Sequence, residues 1–368
     1  MRRPSSMVIL RYDFSMMNSA SPPNSACLLR LSAIGDTCHA LAVLRALQAA
    51  WPRTRFTWII GRIEAKLMTA LLPEVEFIIF DKRSTTRELA RLRRVLAGRR
   101  FDLLLHMQLS LRASLVSTLV RAPVKLGFDR ARAHELQWLF TNARIAPATR
   151  EHVLDSLLGF VRAVGVEPGA PAWHARPPAP ARAYAERLVP DERPTLVISP
   201  CSSHAARNWR AERYAAVAAH ADRVHGMRVI LSGGPSETER RMGAAIKAAA
   251  GTAVIDQIGQ DTLPELLALL ARATVLLSPD SGPVHMANMV GCPVIGLYAA
   301  TNPARVGPYD SRRWCIDRYD VAARRILGRP AARLPWNRKV ERPGVMDLIE
   351  VGDVTERLDA LMRERDIR

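Results

Sequence analysis

ACLLRLSAIGD (26–36) runs six largely apolar residues into a short turn ending in Gly35-Asp36, and a helical pattern follows from Thr37 to Ala50. An apolar run this short, closed by a turn and followed by a helix, is a strand–turn–helix unit. FTWII (56–60), FIIF (77–80) and FDLLLHM (101–107) repeat it, each with a helical stretch behind. Such alternation predicts a parallel sheet with helices on both faces. The pattern restarts with TLVIS (195–199), MRVILS (227–232), TVLLS (274–278) and PVIGLY (293–298), the last closing the second half. Tyr214, Val217, Ala218 and Ala221 recur at i, i+3, i+4, i+7, and Ser236/Glu239 and Thr262/Glu265 have capping-box spacing. Between the halves lies a proline-rich stretch that disfavours regular structure. The expected division is a flexible extension over 1–24, a first domain over 25–168 and a linker over 169–194. A second domain follows over 195–345, and a terminal helix over 346–368 is expected to pack back toward the first domain. The fold class is α/β, two Rossmann-like lobes whose parallel sheets face a central cleft.

The 368 residues suit two to three domains at ~150 residues each. Hydrophobic residues at 48% and charged residues at 24% exclude disorder throughout. No apolar run approaches the ~18 residues of a membrane span. Asp13 and Asn18 interrupt the N-terminal region before a secretory signal can form, and Met7, Met16 or Met17 are alternative starts. Cys27, Cys38, Cys201, Cys292 and Cys315 are odd in number and scattered, which argues against a disulfide framework or thiolate zinc site and suits a reducing compartment. Lys and Arg number 53 against 35 Asp and Glu, a net charge of +18. That excess draws anionic partners: nucleic acid, anionic lipid or a phosphorylated substrate.

Four turns carry candidate chemistry. Asp36, at the end of the first strand, is either a helix N-cap or a carboxylate able to take a proton from a substrate hydroxyl. The turn lacks G-x-G-x-x-G, so the dinucleotide fingerprint is absent. Asp280-Ser281-Gly282-Pro283-Val284-His285 is a strand-to-helix turn with Ser281 as cap, and it is either ordinary or an anion site at a helix N-terminus. His285 lies one turn in, where a lone histidine is more often structural. Cys201-Ser202-Ser203-His204-Ala205-Ala206-Arg207-Asn208-Trp209 offers two hydroxyls and a bidentate guanidinium to a diphosphate. Glu237, after Gly233-Gly234-Pro235, is either a solvated first-turn acid or an acceptor of ribose hydroxyls. No Asp-x-Asp occurs, so a metal-bridged diphosphate of that style is unsupported and protein donors must neutralise the leaving group.

Together, Gly35-Asp36 with His39, Arg207-Asn208-Trp209, Asp280-Ser-Gly-x-x-His285 and GLYAATNPARVGPY (296–309) resemble glycosyltransferase family 9, the ADP-heptose:lipopolysaccharide heptosyltransferases. The similarity covers about 26–360. It implies a GT-B fold whose first lobe binds the acceptor and whose second binds the nucleotide sugar, with inversion and without a metal or other cofactor. It also implies a peripheral place on the cytoplasmic face of a Gram-negative inner membrane, with a lipid A–core acceptor and no nucleic-acid partner. Carried over, Asp36 is the general base, and Arg207, where the family usually has lysine, contacts the diphosphate. Ser202 and Ser203 stand beside that phosphate, Glu237 at the ribose, and Asp280, Ser281, Gly282 and His285 in the donor loop. Lys82, Arg83, Arg112, Arg130 and Arg132 are either contacts to an anionic acceptor or solvated surface charges. Two alternatives remain: a GT-B transferase or epimerase using another nucleotide sugar, and a basic nucleic-acid-binding protein. For the latter, no reading module and only 6% aromatic residues are present.

Overall fold

Ala26, Cys27, Leu28 and Leu29 are all fully buried, so side chains of both parities are covered. A strand can satisfy that only if helices cover both faces of its sheet. The computed structural model describes residues 22–366, so 1–21 and 367–368 lie outside the described residues. The last residues of the expected extension are already tied to the first sheet: Asn24 O accepts from Arg55 N at 2.9 Å and Pro23 O from Thr54 Oγ1 at 2.5 Å. Two compact units result. One runs to Thr149 and resumes over Val153–Trp173; the other takes Arg150–His152 and His174 onward.

The first unit holds β1 Ser25–Leu29, β2 Arg55–Gly61, β3 Glu76–Phe80, β4 Leu103–His106, β5 Val124–Gly127 and β6 Ala143–Arg144, ordered β3-β2-β1-β4-β5-β6. The second holds β7 Thr195–Ile198, β8 Arg228–Leu231, β9 Val254–Asp256, β10 Val275–Pro279, β11 Val294–Tyr298 and β12 Ile316–Asp317, ordered β12-β11-β10-β7-β8-β9. Read from its own first strand, each is the 3-2-1-4-5-6 doubly wound order, and every pairing is parallel. All carboxyl ends of a sheet therefore lie on one edge. The reversal of strand order falls between β1 and β4 in one unit and between β7 and β10 in the other.

Four expectations change. β5, β6, β9 and β12 go unseen in the sequence because VKLG, AR, VID and ID hold no sustained apolar run, and β12 rather than PVIGLY closes the second sheet. The proline-rich stretch contains the helix Ala179–Leu188, with Pro178 at its N-cap and a further proline in its first turn, where the missing N–H costs nothing. Arg150–His152 belongs with the second unit: His152 Nε2 lies 2.9 Å from Gly307 O, and Trp336 Nε1 donates to Glu151 O at 2.6 Å. The terminal helix Val351–Asp366 places Val354, Leu358, Leu361 and Met362 in the core of the second unit. The five cysteines are buried and unbonded.

His106, at the end of β4, is fully buried between Ser114 Oγ at 3.3 Å and Gln137 Nε2 at 3.2 Å. Burial, aided by the charges of Arg30 and Lys125, pushes its imidazole down to about 3. Unfolded, it titrates near 6.5, so between those values the unfolded chain binds a proton that the native state refuses. Stability therefore falls as pH drops, by about 2 kcal/mol from this group at pH 5. Thermal melts at pH 7 and 5 should show a smaller loss for His106→Gln than for the parent chain; equal losses would overturn the assignment.

Candidate active site

In the first unit the strand-order reversal is occupied by the loop that leaves β1. The helix Ile34–Ala50 begins three residues earlier than its apolar pattern, at the N-cap position Ala33, so Gly35 and Asp36 sit inside its first turn. Alanine has no capping oxygen; the Asp36 carboxylate supplies one by accepting the Ala33 N–H at 3.2 Å. The same carboxylate is ion-paired with Arg30, whose side chain also donates to Met107 O just past β4. Gln108 completes the bracket, its Oε1 accepting Leu31 N–H at 2.6 Å and Ser32 N–H at 3.2 Å. Its Nε2 donates to Ser32 Oγ at 3.1 Å. Asp36 is thus both a helix cap and a fixed carboxylate about one third exposed, facing the carboxyl edge of the sheet. A cation and a backbone donor fix where this carboxylate points.

In the second unit the reversal lies between the loops after β7 and β10. Arg207 there is the cation between two anions: Nη1 to Asp280 Oδ2 at 3.0 Å, and Nη2 and Nε to Glu341 Oε1 at 2.6 and 2.8 Å. Burial opposes ionisation of Glu341, but Arg207, Lys339 and His204 hold its carboxyl below the usual glutamate range. Each residue of Arg-Asn-Trp has a part. Asn208 Oδ1 accepts Ser202 N–H at 2.7 Å, and Trp209, 1% exposed, donates Nε1–H to Ile349 O at 3.0 Å as the anchor. Ser202 Oγ donates to Asp280 O at 2.7 Å, stitching the β7 and β10 loops together.

Ser281 holds the N-cap position of the helix Gly282–Met289, but its hydroxyl lies 2.8 Å from Ser278 Oγ and caps no helix N–H. That leaves first-turn N–H groups for an anion. His285 is buried in the same helix. The Tyr298 hydroxyl, at the end of β11, is buried without a hydrogen-bond partner, and burial, then the charges of Asp280 and Cys315, pushes it well above its ordinary range.

Other expected residues fare differently. Ser203 is exposed. Glu237 is 70% exposed with only Arg241, 3.6 Å away, as partner, whereas Glu239 is committed to Gly234 N–H at 2.7 Å and Ser236 Oγ at 2.6 Å. A Cβ on Gly234 would meet that carboxylate at 2.9 Å, so a side chain there would push Glu239 aside. Lys82, Arg83, Arg112, Arg130 and Arg132 all follow strands of the first sheet on its carboxyl edge. Lys82 is spent on Glu64 at 3.0 Å, and Arg132 on Asp129, Ser156 Oγ and Ala146 O. Arg83, Arg112 and Arg130 are exposed. Sequence reasoning missed Arg30, Gln108, Glu341 and Tyr298. A lone arginine inside the apolar ACLLRL signalled the first; Glu341, 134 residues from Arg207, left no local trace. One group among the described residues has metal-ligand spacing: His220 and His225, each with Nε2 at 2.7 Å from Asp359 Oδ1. Those separations are hydrogen bonds tying the last helix to Ala211–His225; two ligands on one ion stand about 3 Å apart.

A model of glycosyltransferase family 9 (heptosyltransferase) matches residues 89–326. The chain is 38% identical over 339 residues to the lipopolysaccharide core heptosyltransferase OpsX of Haemophilus influenzae, covering 92% of this chain and 97% of that one. The chain belongs to glycosyltransferase family 9. Lipopolysaccharide heptosyltransferase 1 of Escherichia coli K12 is 24% identical over 297 residues, 77% of this chain and 90% of that protein. Among solved structures, the family 9 glycosyl transferase of Veillonella parvula superposes with a TM-score of 0.75 at 21% identity, covering 93% of this chain and 97% of that one. Escherichia coli heptosyltransferase WaaC with ADP gives 0.72 at 20% identity, over 92% and 99%. These likenesses establish the GT-B fold, and the protein is a glycosyltransferase.

Asp280 and Glu341 both hold the Arg207 guanidinium, so either would compete with an incoming anion for it. Glu341→Gln removes one. Calorimetry should show a nucleoside diphosphate binding roughly fivefold tighter, about 1 kcal/mol; weaker binding would mean that Glu341 is needed to aim the guanidinium.

Proposed function

We propose that the protein transfers a heptose, with inversion, from ADP-heptose to a lipopolysaccharide core acceptor at the cytoplasmic face of the inner membrane. The end-to-end likeness to a lipopolysaccharide core heptosyltransferase supports the sugar and acceptor class. No helix among the described residues is long and apolar enough to cross a membrane, which suits attachment to a surface. The observation that carries the chemistry is the bracketed Asp36 carboxylate at the first strand-order reversal.

Asp36 accepts the proton of the acceptor hydroxyl, and the freed oxygen pair attacks the anomeric carbon opposite the diphosphate. The new glycosidic C–O bond forms as the bond to the diphosphate oxygen breaks, so configuration inverts and ADP leaves with the electrons. Arg207 turns from its carboxylates to the diphosphate, and the N-terminus of Gly282–Met289 faces the developing charge. Ser202 and Ser203 flank the phosphates, and Asp280, Ser281, Gly282 and His285 shape the sugar side of the loop. Glu237, unlike Glu239, keeps an available carboxylate for the ribose hydroxyls. With guanidinium and helix dipole supplying positive charge, the reaction as proposed requires no metal. Arg83, Arg112 and Arg130 are the acceptor-facing cations least committed elsewhere.

Asp36→Asn should cut transfer by about a thousandfold or more, as loss of a general base does, while ADP affinity stays within about twofold; near-normal turnover would remove Asp36 from the base role. In a thermal-shift panel ADP at ~100 times its Kd should stabilise by ~2.7 kcal/mol. A response to UDP or GDP instead would overturn the donor.

A further inference from the structure

Leu111, Leu115, Leu136 and Leu139 of the first unit are 47, 40, 53 and 55% exposed, and they lie on two segments that touch. Leu111 and Leu115 stand one turn apart on the helix Leu111–Leu119, whose other face buries Ala113 and Val116. Leu136 and Leu139 bound a single 3-10 turn, and Glu135 beside them accepts the Leu111 N–H at 2.6 Å. The display is rigid. Gln137, fully buried, donates Nε2–H to His106 O at 2.8 Å and Gln108 O at 3.2 Å, and its Oε1 accepts Phe128 N–H at 3.1 Å. Glu135 and Leu136 both have left-handed backbones, φ 50° and 61°, which side-chain-bearing residues rarely adopt. A bulky apolar residue held so, and left in water, is a feature that folding alone does not explain.

Cations surround the leucines. Arg112 is exposed beside Leu111, and exposed Arg130 stacks 4.3 Å from the centre of the half-buried Trp138 ring, next to Leu139.

We propose that this patch docks the protein on an anionic lipid bilayer. The leucines enter the boundary between headgroups and acyl chains, Trp138 sits at headgroup depth, and Arg112 and Arg130 meet lipid phosphates. Charge complementarity selects this partner, since a second copy of a chain of net charge +18 would bring arginines against arginines. Gln108 links the patch to Asp36: its carbonyl receives Gln137, and its side chain holds Leu31 and Ser32 at the start of the Asp36 helix. A bilayer-borne hydroxyl is thereby delivered on the edge where Asp36 stands, a purpose that rests on the transferase proposed above, although the docking chemistry does not.

The test is co-sedimentation of the full chain with vesicles of phosphatidylcholine alone or with one third phosphatidylglycerol. Binding should require the anionic lipid and weaken with salt. Leu136→Ser with Leu139→Ser should lower partitioning about tenfold or more while the ADP-induced thermal shift stays unchanged. Leu136→Gly separates docking from folding: it suits the left-handed backbone, so melting should hold or rise while vesicle binding falls. No binding to anionic vesicles, or leucine variants that bind like the parent, overturns the proposal; so does a loss of self-association without change in vesicle binding. Vesicle binding that follows the leucines, in a protein inactive on any heptosyl acceptor, would keep the patch and remove only its purpose.

Discussion

Parallel strands in the 3-2-1-4-5-6 order send every strand-to-helix loop of a unit to the same edge, and at one point leave two neighbouring loops diverging. Asp36 and Gln108 share that point in the first unit, and Arg207 and Asp280 share it in the second. Without this geometry, residues some 75 residues apart in the chain would have no reason to meet. The two units repeat the arrangement but fill it with opposite chemistry. One presents a carboxylate restrained by a buried cation; the other presents a cation restrained by carboxylates.

Each restraint has a physical cost that limits what can stand there. Arg30 and Arg207 are nearly buried, and taking a guanidinium out of water is tolerable only with paired charges and filled hydrogen bonds. Arg30 is paired with Asp36 and the Met107 carbonyl, although its Nε is left without a partner, and Arg207 is paired with Asp280 and Glu341. A guanidinium offers five donors in a plane, so it can hold two carboxylates where an ammonium would hold them as a point charge. Lysine at 207 would satisfy the same sum of charge, but not the fork that grips Glu341 through both Nε and Nη2.

Neutral residues do as much positioning as charged ones. Gln108 and Gln137 connect the loops after β1, β4 and β5 through amide groups that both donate and accept, so no net charge is buried. Trp209 fixes Arg207 by anchoring the residue two further on, through one indole hydrogen bond and a fully packed ring. The terminal helix is packed into the second core, and within the first unit the Trp173 indole donates to Cys38 O at 2.9 Å.

Local pattern determined much of this protein. Apolar runs marked eight of the twelve strands, Ser236/Glu239 and Thr262/Glu265 marked two helix starts, and Gly35-Asp36 and Asp280–His285 stood out because turn chemistry is written in adjacent residues. Tertiary structure decided the rest. β6 and β12 are two-residue strands that exist only because a neighbour offers its edge, and the helix Ala179–Leu188 persists amid prolines that a linear reading takes as breakers. Whether an arginine stacks at the surface or acts as a brace, as Arg130 and Arg132 show on one loop, depends on partners the local pattern does not single out: Trp138 for the first, Asp129, Ser156 and Ala146 for the second. Glu341 reaches Arg207 from the far end of the second unit, and no spacing in the chain encodes a contact that only packing brings within 3 Å.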